Sequence, residues 1–161
     1  MAVTLDNIRT ICILGWGLKG DLFIRVPVIE AVKKRFPEAK ITVVVDLNNM
    51  DVLDNHPDVS SVFPFSRKKK PLLKYISASV VNILKLRRRR FDLSINLYSG
   101  GSSPLIMHLV NARIRLGFDH SRALRKSNNL LAIHPSFCQH WTRAFAHVLQ
   151  PLGVDPVSVR L

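Results

Sequence analysis

The sequence predicts an α/β fold: a Rossmann-like, mostly parallel sheet with helices on both faces. Three observations predict it. Short apolar runs alternate with segments of helical period along the chain. The run at 41–45 is β-branched and apolar without alternation, as in a strand buried on both faces. A glycine loop, Gly15-Trp16-Gly17-Leu18-Lys19-Gly20, joins the first run to the first helical segment, where an open α/β sheet places its ligand.

The elements follow in order. Residues 11–14 have the length of a buried strand, and the glycines then let the backbone turn sharply. Leu22, Phe23, Val26, Ile29, Val32 and Phe36 recur at helical spacing. Pro27 predicts a kink or a late helical start, and Lys33, Lys34 and Arg35 suit the end of that helix. A strand is expected at 41–45, a short helix within 46–58, a weak strand at 59–63 and a helix at 71–86. Strands at 93–97, 112–117 and 130–134 and helices at 104–110 and 138–152 complete the pattern, with Gly153 as the final stop. Residues 1–153 read as one domain. Residues 154–161 read as an extended segment, the start of a linker to a second, absent domain.

Composition narrows the class. The 161 residues are 47% hydrophobic and 22% charged, which is globular composition. No apolar run approaches the roughly 18–20 residues that span a bilayer, and the start lacks the pattern of a signal peptide, so a cytoplasmic location is expected. Cys12 and Cys138 stand alone, which argues against a disulfide framework. Lys and Arg number 24 against 11 Asp and Glu, a net charge of +13. That excess calls for an acidic partner: nucleic acid, an anionic membrane surface or a phosphorylated substrate. The charge is clustered at Arg67-Lys68-Lys69-Lys70 and Arg87-Arg88-Arg89-Arg90, with a looser set at Arg113, Arg115, Arg122, Arg125 and Lys126.

The glycine loop supports two functional readings. Residues 15–20 match G-x-G-x-x-G, the dinucleotide fingerprint, and Asp46 at the end of the second strand could hold a ribose of NAD(P). Asp46 lies 26 residues beyond Gly20, past the usual spacing of about 20. Trp16 and Lys19 are bulky beside a pyrophosphate, and Asp21 would place like charge against it. The second reading makes Asp21 a working carboxylate at a cleft, with a helix N-cap as its structural alternative. The six histidines show no ligand spacing for zinc, and Ser99, Ser102 and Ser103 lack the G-x-S-x-G elbow of a serine hydrolase. Nucleic-acid binding rests on charge alone, since the basic residues are not interleaved with aromatics.

A resemblance joins these pieces. Leu18-Lys19-Gly20-Asp21, Val26-Pro27-Val28-Ile29, the run 31–45, Asn55-His56-Pro57-Asp58, Arg90-Phe91-Asp92-Leu93 and Ala112-Arg113-Ile114-Arg115-Leu116-Gly117-Phe118-Asp119 resemble, in order, the lipopolysaccharide heptosyltransferases of glycosyltransferase family 9. His140-Trp141-Thr142-Arg143-Ala144-Phe145 is similar to that family's last helix before its interdomain linker. The resemblance implies the N-terminal, acceptor-binding half of a GT-B enzyme. It implies inverting transfer without metal, and a nucleotide-sugar donor (ADP-heptose) bound mainly by the other half. It places the catalytic base on Asp21 and acceptor contacts on Lys19, Gly20, Arg67, Lys68, Lys69, Lys70 and Arg122. The implied partners are an anionic lipid-linked saccharide, a Kdo-lipid A core, and the inner face of the membrane that carries it, with no specific nucleic acid. For Arg67 to Lys70 a solvated loop remains the alternative, and for Arg87 to Arg90 simple complementation of a helix C-terminus. The chain departs from the family where Gly15 replaces a frequent Arg or Lys, and at Asn96-Leu97-Tyr98-Ser99-Gly100. At the first departure, Trp16 has two readings, stacking on a sugar or packing.

Overall fold

A computed structural model describes residues 5–65, 72–97, 102–119, 122–132 and 141–159. Its strands are β1 (Thr10–Leu14), β2 (Lys40–Val45), β3 (Ser61–Pro64), β4 (Leu93–Asn96), β5 (Ile114–Phe118) and β6 (Leu130–Ala132). They form one six-stranded sheet in the order β3-β2-β1-β4-β5-β6, and every neighbouring pair is parallel. The expected mostly parallel sheet is thus parallel throughout the described residues. The helices are α1 (Lys19–Phe23), α2 (Val26–Arg35), α3 (Leu72–Arg88), α4 (Ser103–Val110), α5 (Arg122–Ser127) and α6 (Trp141–Ala146).

Alternation along β1 divides the core in two. Ile11 and Ile13 point to one face, where they meet Leu22 of α1, Val28, Ile29 and Val32 of α2, and Val148 and Leu149 beyond α6. Cys12 and Leu14 point to the other, against Leu86 of α3 and Ile106, Met107 and Val110 of α4. All four β1 side chains are fully buried, which explains an apolar run without polar alternation. Burial of each large aliphatic side chain contributes about 1.5–3 kcal/mol. The Cys12 thiol is pushed up to about 12 by this burial, against a smaller opposing effect of Arg89, and is chemically quiet.

Proline and glycine account for most differences from the expected elements. The helix expected from Leu22 to Phe36 is two, because Pro27 has no N–H to donate and fits only the first turn of a new helix, α2. The final helix is cut to α6 followed by a 3-10 segment, His147–Leu152, which contains Pro151. Gly153 stops it in a left-handed conformation (φ 77°). The segment after it, expected to be extended, makes a 3-10 turn at Pro156–Ser158 and buries Val159. The expected helix within 46–58 is a 3-10 segment, Leu47–Leu53, capped by Asp46, whose Oδ1 accepts from the Asn48 N–H at 3.3 Å. Helix α5 was not expected. Its sequence, RALRKS, is too short and polar to carry a period.

At the amino edge of the sheet, Asp92 ties β1 to β4. Its Oδ2 accepts from the Arg9 N–H at 2.9 Å, the Thr10 N–H at 3.0 Å and the Thr10 Oγ1 hydroxyl at 3.0 Å. Partial burial pushes this carboxyl up, but those donors and the nearby Arg113 charge outweigh it and hold it below the ordinary carboxylate value. A depressed folded pKa gives stability that is present above the unfolded value of about 3.9 and is lost as pH falls through the folded one. Asp92→Ala is therefore expected to destabilise the domain by about 1–3 kcal/mol at neutral pH. Urea midpoints measured from neutral pH down into acid should show the gap between variant and native closing as the pH falls.

Candidate active site at the carboxyl end of the first strand

The strand order changes direction beside β1. Connections from β1 and β4 therefore leave toward opposite faces of the sheet, and the crevice between them is the ligand position of open α/β sheets. The glycine loop leaves β1 at this point. Its backbone is held from below: the Gly15 N–H donates to Val44 O at 3.0 Å, and the Asn49 amide donates to Gly17 O at 2.8 Å. Arg25 Nη1 donates to both Gly15 O, at 3.3 Å, and Trp16 O. Arg25 is only 4% exposed and its guanidinium also lies over the Phe145 ring, 4.6 Å from the centroid.

Asp21 stands on the outer side of this loop. It occupies the third position of α1, and Leu18, not Asp21, is the N-cap residue. The cap reading is corrected accordingly: the carboxylate reaches back, and Oδ2 accepts from the Leu18 N–H at 2.8 Å. Leu18 has no polar side chain to reciprocate. Gly17 makes the approach possible. A Cβ there would lie 2.6 Å from both Asp21 Cβ and Oδ2 and 2.8 Å from Arg25 Nη1, and its φ of +154° disfavours L side chains.

The other expected residues are distributed unevenly. Lys19 Nζ pairs with Asp51 Oδ2 at 2.5 Å, both side chains more than half exposed, which closes the loop onto the 3-10 segment. The hydrogen bond from Lys19 lowers the Asp51 pKa. Gly20 is exposed, with nothing within 4 Å of the position a Cβ would take. Arg122 opens α5, just after β5, and is exposed at the same carboxyl edge of the sheet. Arg67, Lys68, Lys69 and Lys70 lie outside the described residues, as do Tyr98 to Gly101. Trp16 is a packing residue, not a sugar platform: it is 1% exposed and its ring meets Phe65 at 5.3 Å. At the end of β4, the buried Asn96 amide donates to Ser103 Oγ at 3.3 Å.

Two contributors were missed in the sequence. Arg25 falls three residues after Leu22 and four before Ile29, on the buried stripe of the helical pattern, so a charged residue at a core position was the available signal. Asn49 carried none. Its role depends on how the 3-10 segment folds back under Gly17.

The geometry disfavours dinucleotide binding. A fingerprint loop offers backbone N–H groups to a pyrophosphate, whereas here the Leu18 N–H is taken by the Asp21 carboxylate, and its negative charge stands where phosphate would lie. Asp46 caps its own 3-10 segment. No group of three or more His, Cys, Asp or Glu able to hold a metal occurs among the described residues.

No family profile matches the chain. It superimposes on a family 9 glycosyl transferase from Veillonella parvula with a TM-score of 0.83 at 22% identity, over 99% of this chain and 45% of that one. This is one half of a GT-B fold. The GT-B half also superimposes on Escherichia coli heptosyltransferase WaaC, solved with ADP-2-deoxy-2-fluoro heptose, with a TM-score of 0.81 at 17% identity over 94% of this chain and 50% of that one. In sequence it resembles lipopolysaccharide heptosyltransferase 3 of Escherichia coli, 26% identical over 151 residues. It also resembles the lipopolysaccharide core heptosyltransferase OpsX of Haemophilus influenzae, at 21% identity. The chain spans 41% of the length of each of these two curated relatives. The matched half is the N-terminal domain.

Two glycine substitutions separate the architecture of the loop from its openness. Gly17→Ala is expected to cost about 1–3 kcal/mol and to push Asp21 out of place. Gly20→Ala, in a helical position with open space, should be neutral or stabilise by up to about 1 kcal/mol. Thermal melting of the two variants side by side checks the contrast.

Proposed function

We propose that this domain is the acceptor-binding half of an inverting glycosyltransferase that moves heptose, or a related sugar, from a nucleotide-sugar to a lipopolysaccharide core. One observation carries the reading: a carboxylate is fixed at the mouth of the β1 crevice by a glycine that makes room for it and an N–H that orients it. The hydrogen bond engages Oδ2 and leaves Oδ1 to take a proton.

In this reading the Asp21 carboxylate accepts the proton of the acceptor hydroxyl as general base. The oxygen forms its bond to the anomeric carbon from the face opposite the diphosphate, whose bond to that carbon breaks. Inversion follows. The donor, ADP-heptose by likeness to the relatives, is held mainly by the other half. Acceptor binding falls to Lys19, Gly20, Arg67 to Lys70 and Arg122, whose cations suit charge-assisted hydrogen bonds to the carboxylates and phosphates of a Kdo-lipid A core. The enzyme works at the anionic inner leaflet where that acceptor resides. Resident metal and cofactor have no role in this scheme.

Asp21→Asn tests the base directly. The amide oxygen still accepts from the Leu18 N–H, so the loop should keep its shape and the melting temperature should hold. Turnover in the two-domain enzyme should fall about 10²–10⁴-fold. Near-native turnover would make Asp21 a capping residue only. A calorimetric titration of the domain supplies the second check. A Kdo-terminated, phosphorylated acceptor should bind, more weakly as salt rises, while NADH gives no heat; the reverse result would restore the dinucleotide reading.

A further inference from the structure

Helix α3 carries apolar side chains on its outward face as well as on the face it buries. It is 17 residues long, about 25 Å, and packs on the sheet through Ile83 and Leu86, with Ser79 and Asn82 also only partly exposed. Four large aliphatic side chains are left outward: Ile76, Val80, Val81 and Leu84, each 47–49% exposed. Ile76, Val80 and Leu84 are spaced by four and form one stripe, with Val81 beside it. An ordinary surface helix carries polar residues on that face.

The charge around the stripe has one sign. Residues 59–91 contain ten lysines and arginines and no aspartate or glutamate. Lys85, Arg87 and Arg88 are exposed in the last turns, and among the described residues no carboxylate lies within ion-pair distance of them. A second copy would set cation against cation. A nucleic acid would answer the charge but leave the aliphatic stripe in water. A bilayer with anionic headgroups answers both, since an amphipathic helix lying in the interface inserts its apolar stripe and sets its cations among the phosphates.

We propose that the outward face of α3 is a membrane-docking surface, lying flat on an anionic bilayer with Ile76, Val80, Val81 and Leu84 inserted and Lys85, Arg87 and Arg88 at the headgroups. It deepens the transferase reading and rests on it for the presence of a lipid-linked acceptor. The contact itself requires only lipid of negative charge.

The test is co-sedimentation of the chain with vesicles of phosphatidylcholine containing about a third phosphatidylglycerol, and with phosphatidylcholine alone. Binding is expected to the anionic vesicles only. The triple variant Ile76→Ser, Val80→Ser, Leu84→Ser, which alters no charge and no buried side chain, should bind about a hundredfold more weakly, the order that three half-exposed aliphatic groups supply. Arg87→Gln with Arg88→Gln should also weaken binding and leaves every apolar contact intact should the triple variant fold poorly. Failure of the native chain to sediment with anionic vesicles, undiminished binding by the serine variant, or self-association through the stripe in place of lipid binding would each overturn the proposal. The vesicles hold no saccharide, so these outcomes are independent of those of the Asp21 test.

Discussion

The buried Arg25 guanidinium is the contact on which the site depends. It sits beneath the glycine loop, donates to the carbonyls that leave β1, and stacks on Phe145 of α6. Three separate parts of the chain therefore meet at one side chain: the exit of the central strand, the start of α2 and the last helix. Desolvating a guanidinium is costly, and hydrogen bonds to a charged group offset that by about 1.5–3 kcal/mol each. Because the loop carbonyls are drawn inward to Arg25 and Asn49, the loop's outer side is left to Asp21. A change made under the loop is felt above it.

The same division of labour organises the sheet. Asp92 fixes β1 against β4 at the amino edge, where stability is wanted, while the carboxyl edge carries the loop and the open crevice. Among the described residues neither edge depends on a hairpin, since every strand pair is parallel.

Much of this was legible in the residues. The strands came from β-branched runs buried on both faces, a signal that survives because β1 and β2 have almost no exposed side chain to blur it. Helix α5 was not legible because six mostly polar residues define no face. The split of the first helix was written in Pro27, whose missing N–H fixes where a helix can begin. In the site, the glycines and Asp21 could be read as a unit, but Asn49 could not: it reaches Gly17 across 32 positions of sequence, and such a bond exists only once the sheet is built. Trp16 illustrates the converse. The sequence left it two readings, stacking on a sugar or packing, and only the second core layer, with Phe65, shows that the ring faces inward.

Gly17 has a consequence for how this loop can change over time. The space of one missing methyl group holds the Asp21 carboxylate on one side and the Arg25 guanidinium on the other. Replacements at positions 17, 21 and 25 are therefore not independent, and their effects should combine non-additively, as they do for residues that share contacts. A larger residue at 17 is strained by its own backbone and meets both the Asp21 side chain and the Arg25 guanidinium. The loop must vary as a block, and single-step paths away from its present sequence pass through variants in which the carboxylate has lost its place.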